Sequence, residues 1–221
     1  MFSGMFSLEN WNTLFAQLVS KFGYRYNLSI TDSWFSNLSA RYDHGWRKFH
    51  NQTYVGDLLQ KLNGRARSIM EDPLSLKMAT WFHASVFVPG KTDNEQSSMR
   101  LFHVFASEID LPLTFSSSTS NLILAPRTTT ERTVDETLFT DLLNLYYGDT
   151  WERFCEAQGQ ISDEQHLYCG SSDDSIHQIQ NIAKLRNLLE QGQIFQNEVY
   201  QRYHEIQARN NINRWLKTAS P

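Results

Sequence analysis

The chain has 221 residues, 40% hydrophobic and 13% aromatic, with a formal net charge of -4. A chain this long hides about 70% of the surface its unfolded form exposes, and its aromatic content and small net charge are not those of a disordered polymer. The acidic balance is also not that of a protein built to coat nucleic acid or anionic membrane, so neither is expected as a partner.

The dominant period along the chain is helical. Leu8, Trp11, Phe15, Leu18, Val19 and Phe22 recur at spacings of three and four, with Ser7 as N-cap and Gly23 as the stop. A second helix is expected over Thr31–Tyr42, capped by Thr31 or Asp32, and a third from about Asn51 to Met70, broken or ended near Asn63-Gly64. Asp72-Pro73 opens a fourth through Leu74, Met78, Trp81 and Phe82 toward Ser85, and Pro89-Gly90 closes that region. The next starts near Thr92–Asn94 and carries Met99, Phe102, Phe105 and Ile109.

Pro112 and Ser116–Ser120 read as a loop, and Asn121–Ala125 is apolar but too short for its period to separate strand from helix. Thr128–Thr133 reads as a polar loop. Asp135–Tyr147 reads as a helix with Leu138, Leu142 and Leu145 inward, and Gly159–Asp174 as the least regular stretch. Two long helices follow. The first turns Ile176, Ile179, Ala183 and Leu189 inward and stops at Gly192; the second turns Val199, Tyr203, Ile206 and Ile212 inward. The expectation is an all-α bundle of about eight helices forming one domain over 1–221.

Cys155 and Cys169 are too few for a disulfide framework and fit a reducing, cytoplasmic setting. Met1–Glu9 lacks the basic and apolar regions of a secretory signal, and no apolar run approaches the roughly 20 residues of a spanning helix. The sequons at Asn27, Asn37 and Asn51 are therefore read as chance. Cys155, His166, Cys169 and His177 lack zinc-site spacing, and no nucleophile elbow, P-loop or dinucleotide fingerprint is present.

Three stations carry possible chemistry: Arg47-Lys48-Phe49-His50-Asn51, Ala79 to Phe87 around Trp81-Phe82-His83, and Asp93-Asn94-Glu95-Gln96-Ser97. In this order they resemble the small bacterial members of the HD superfamily of metal-dependent phosphohydrolases. The tail, Leu185 through Ile194-Phe195 and Arg209-Asn210-Asn211 to Leu216, is similar to that family's ending. The resemblance covers a core of about residues 41–216, with the helix over 8–22 packed on it.

The resemblance implies an HD-like helical bundle in which His and Asp side chains hold a divalent metal, one of Mn, Fe, Zn or Mg. Such a metal lowers the pKa of bound water and neutralises charge on a phosphoryl oxygen. It implies His50, His83 and Asp141 as ligands, and Tyr54, Ala84, Asn94, Glu95 and Arg127 around the pocket. It also implies a small phosphorylated ligand.

The chain departs from that pattern at the centre. Ala84 stands where the motif needs an aspartate, and Tyr54 where a second histidine belongs. The segment Leu124–Thr130 carries Pro126, Arg127 and threonines where relatives have another histidine. The expectation is therefore a degenerate site, with or without metal, that binds a ligand or a protein partner. An active phosphohydrolase on a nucleotide or other phosphate ester, and a helical adaptor, are the alternatives. Two plainer readings stand beside these: Asp93-Asn94-Glu95 as capping chemistry, and Arg127 and Arg132 as solvated charges.

Overall fold

The computed structural model describes residues 5–23, 25–127, 131–170 and 174–219, and among them every regular element is helical. Three residues of the Thr128–Thr133 loop, 128–130, lie outside them, as does the His177 side chain. No helix among the described residues is long and apolar enough to cross a membrane. The chain groups into two compact units, Met1–Phe139 and Thr140–Pro221.

The first unit opens with α1 (Leu8–Phe22), whose N-cap Ser7 accepts from the Asn10 N–H. It ends on Gly23 at φ +66°, a left-handed turn that returns the Gly23 N–H to the Val19 carbonyl. Trp11, Leu14, Phe15 and Leu18 form its buried stripe. The second helix, α2 (Leu28–Tyr42), starts earlier than expected because Asn27, not Thr31 or Asp32, is the cap, accepting from the Ser29 N–H. Thr31 is buried and donates its hydroxyl to the Leu28 carbonyl. Asn51 caps α3 (Gln52–Leu62), which ends at Asn63, at the expected break near Asn63-Gly64. A turn and a short 3-10 segment at Arg65–Ser68 follow.

At the centre lies α4 (Pro73–Phe82), with Ser75, Leu76 and Met78 to Phe82 all buried. A helix apolar on every side belongs in an interior. Around it the rings interlock. Trp11 meets Trp81 edge-on at 5.2 Å and Phe82 stacks on Phe105 at 5.0 Å. The buried indole N–H groups find acceptors: Trp11 donates to the Thr31 carbonyl and Trp34 to Glu108. The Asp72 carboxylate accepts from the Ser75 hydroxyl and pairs with Lys21, while Asp135 accepts from the Glu71 and Asp72 N–H groups. Asp135 thus ties the start of α7 (Val134–Asn144) to the start of α4.

Two segments read as irregular are helices. The supposed Ser/Thr loop is α6 (Leu113–Leu124), which also absorbs most of Asn121–Ala125 and packs along α4. Its Ser116, Thr119 and Ser120 are buried, and the Ser120 hydroxyl donates to the Ser116 carbonyl four residues back. Small side chains that bond their own backbone let a helix lie close to the crowded α4. In the chain, α5 (Asn94–Glu108) connects α4 to α6 and packs on α6. The second such segment lies in the other unit: the polar stretch from Gly159 is the middle of α8 (Trp151–Cys169). It buries only a narrow stripe of Phe154, Ala157, Gln158 and Glu164, so its apolar period is weak.

The second unit is completed by a 3-10 turn at Leu145–Gly148, α9 (Asp174–Glu190), α10 (Glu198–Tyr200) and α11 (Ile206–Ala219). A π-turn over Gln201–Glu205 joins the last two. It adds residues to the turn and rotates the helix, so Tyr200, Ala208, Asn211 and Ile212 face inward. Tyr203 and Ile206, expected inside, are exposed, as are Ile176 and Ile179 of α9. A Cβ on Gly148 would lie 2.6 Å from the His204 Cβ, so only glycine admits this approach. The turn over residues 191–197 is held by side chains. Glu205 accepts from the Ile194 and Phe195 N–H groups, and Arg209 donates to the Leu189, Gln191 and Gly192 carbonyls.

Candidate functional site

The end of α4, the start of α3 and the segment before it place Arg47, His50, Tyr54 and His83 together in the first unit. Asn51 caps α3 by accepting from the Tyr54 N–H, which sets Tyr54 in the first turn. His83 is the C-cap of α4, its N–H returned to the Ala79 carbonyl. The His83 ring lies 5.5 Å from Tyr54 and 5.8 Å from Phe139. Tyr54 lies 5.4 Å from His50, and His50 stacks on Phe87 at 4.0 Å. Trp46 follows, nearly parallel to Phe87 at 6.4 Å.

The protonation of His83 follows from its partners. Its Nδ1 lies 3.0 Å from the Thr80 carbonyl, which can only accept, so the proton sits on Nδ1. Nε2 then carries a lone pair, and that buried atom has no hydrogen-bond partner among the described residues. The residue is 8% exposed, and burial drives its pKa down to about 3 against the upward pull of the Thr80 carbonyl, with smaller downward contributions from His50 and Arg47. His83 is a neutral acceptor throughout the physiological range.

Arg47 stands out in the structure more than in the sequence. It is buried, and its guanidinium donates to the Ala84 carbonyl at 2.6 Å, the His50 carbonyl at 3.1 Å and the Ser85 carbonyl at 3.4 Å. It lies over the rings of Tyr42, Trp46 and Phe87 at 5.2, 5.2 and 5.9 Å. The Tyr42 hydroxyl donates to the Trp81 carbonyl, and burial raises its pKa. Arg47 thus fastens the chain before α3 to the chain after α4. The only sequence signal for this is its position three residues before His50.

The other expected residues are engaged elsewhere. The Asn94 amide accepts from the Val88 N–H and donates to the Val88 and Lys91 carbonyls, closing the loop before α5. Glu95 pairs with Arg127 at 3.6 Å, and Arg127 also donates to the Thr92 carbonyl. Asp141 belongs to the second unit, where it is 1% exposed and accepts from the Gln196 and Asn197 N–H groups. It covers the free N–H groups at the entry to α10. Among the described residues, no group of three or more His, Cys, Asp and Glu side chains is arranged to hold a metal ion. Neither Cys155 nor Cys169 forms a disulfide among the described residues.

What the arrangement can do is limited by its charges. It offers one neutral acceptor, one fixed guanidinium and a row of rings. No family model, no curated protein and no solved structure matches the chain.

Proposed function

We propose that this chain is a degenerate HD-like helical domain of the cytoplasm that has lost metal-dependent phosphohydrolysis and keeps a ligand-binding role at the His83 site. The observation that carries this reading is the contact between Arg47 and the Ala84 carbonyl. In the pattern the chain resembles, the residue after His83 is a carboxylate that balances a cation. Here that residue has no donor side chain, and a guanidinium lies against its backbone. A divalent metal approaching His83 would meet a positive charge in place of a negative one, while a ring-bearing molecule would meet Tyr54, Phe87 and Trp46.

The test is metal content after purification without chelator, followed by titration with Mn, Fe, Zn and Mg. The expected result is no stoichiometric metal, with Ala84→Asp gaining affinity. Stoichiometric metal that is lost in both His50→Ala and His83→Ala would overturn the reading and favour an active phosphohydrolase on a small phosphate ester.

One observation favours a second reading, the protein-interaction adaptor. Leu167, Tyr168, Ile176 and Ile179 of the second unit are all exposed. Paired Ile176→Asp and Ile179→Asp substitutions that change the sedimentation of the full chain would support it.

A further inference from the structure

We infer that α9 is a lid within the second unit, which opens and melts as one cooperative segment while α8, α11 and the turn at Leu145–Gly148 stay folded. The inference is independent of the ligand-binding reading, which concerns the first unit. Three observations carry it.

The first is how little apolar surface holds α9. Its 17 residues include no Phe, Trp or Tyr, and among its described side chains only Leu185 is fully buried. Ile176 and Ile179 are exposed. Few buried apolar contacts place a segment at the low end of the local stabilities within a fold. The elements beneath it are joined without it. The Trp215 ring of α11 meets Phe154 of α8 edge-on at 5.9 Å and lies 6.5 Å from Trp151, and Asn211 donates to the Tyr147 and Asp149 carbonyls.

The second observation is what lies against α9. The Asn181 amide donates to the Gln158 Oε1 atom at 2.9 Å, while the buried Gln158 Nε2 donor has no acceptor among the described residues. Lys184 lies over the Tyr147 ring, whose buried hydroxyl also has no partner among the described residues. A buried donor without an acceptor works against the closed state, and water supplies the acceptor when the segment opens.

The third observation is how the helix is anchored. Arg209 of α11 donates to the Leu189, Gln191 and Gly192 carbonyls, which ties down the C-terminal end of α9. The rest of the helix packs on α8 and α11. A helix of this length is marginal by itself in water, so release from those neighbours and melting coincide. Opening gives solvent access to the Gln158 amide and to the face of Tyr147 that Lys184 covers.

The experiment is hydrogen exchange of the full 15N-labelled chain, read by NMR at rising guanidinium below the unfolding transition. Amides from 178 to 188 are expected to share one opening equilibrium, at least about 100-fold more open than the slowest amides of α8 and α11 and less dependent on guanidinium. Asn181→Ala removes the hydrogen bond to Gln158. It should raise α9 exchange about fivefold, the scale of one hydrogen bond, and leave the slowest α11 amides unchanged. Exchange of α9 together with the slowest amides of α8 and α11 overturns the lid, since the helix then belongs to the global unit. Rates graded inward from the ends of α9, with no common value, overturn it too, because they report fraying. The unsubstituted chain decides the question, so the test stands even if Asn181→Ala does not fold.

Discussion

Both units use polar side chains to hold backbone groups, in the first Arg47, Asn94 and Asp135, and they differ in how much ring packing accompanies those clamps. In the first, large rings interlock around α4, and the buried polar atoms are mostly indole N–H groups and hydroxyls with a nearby acceptor. In the second, carboxylates, an arginine and an asparagine hold backbone groups directly. Asp141 and Glu205 take four N–H groups of the turn over 194–197. Asn211 donates to the Tyr147 and Asp149 carbonyls. Ring packing resists loss of volume, whereas polar clamps resist loss of one atom. The difference also separates two of the expected site residues. A neutral histidine with an idle lone pair is kept in the ring-packed unit, while Asp141, a carboxylate expected at a metal, serves the fold of the other.

The largest effect should come from breaking the ring packing. Trp81→Ala is expected to cost about 3–5 kcal/mol in urea unfolding, as removal of a fully buried indole does, and to expose the amides of α1 and α4 to exchange. Asp141→Ala should follow. It leaves the Gln196 and Asn197 N–H groups without their acceptor, at about 1–3 kcal/mol for each donor that stays buried. A loss below about 0.5 kcal/mol, the size of an ordinary surface substitution, would remove the clamp from the account. Gly148→Ala should cost about 1–3 kcal/mol, because its new methyl group meets the His204 Cβ and carbonyl at under 3 Å.

The remaining effect is the pH dependence of His83. Its pKa falls from an ordinary 6.5 to about 3 on folding. The unfolded chain therefore binds this proton first as the pH falls. The contribution is complete above pH 6.5 and is lost progressively from there toward pH 3, at about 1.4 kcal/mol per pH unit within the window. Stability measured between pH 7 and 5 should fall less steeply in His83→Phe than in the parent chain. Parallel curves would mean that His83 is not held neutral.

Much of the helical framework was legible in the sequence. The stripe of Trp11, Phe15 and Leu18 follows the helical period, and Ser7 and Gly23 carry end signals that act within four residues. The same holds for the start of α4 at Pro73 and of α5 at Asn94. Local reading failed where a neighbouring helix supplied the reason for the structure. The serines of α6 look like a loop until α4 is placed against them. The middle of α8 looks irregular because only a thin stripe is buried. Tyr203 and Ile206 were assigned to the wrong face because a π-turn shifts the phase of the helix that carries them.

The site divides along the same line. Its histidines, His50 and His83, were picked out in the sequence, and the structure brings them to one region of the first unit. The sequence alone determined that the chain is helical and where many helices begin and end, because those properties belong to single residues or to near neighbours. Tertiary structure decided that Arg47 would bond the Ala84 and Ser85 carbonyls, 37 and 38 residues away, and that Asp141 would cover N–H groups 55 and 56 residues on. It also decided that His83 would keep an idle nitrogen. Hydrogen-bond partners and burial are set by which elements pack together, and at such separations no local period or cap specifies them.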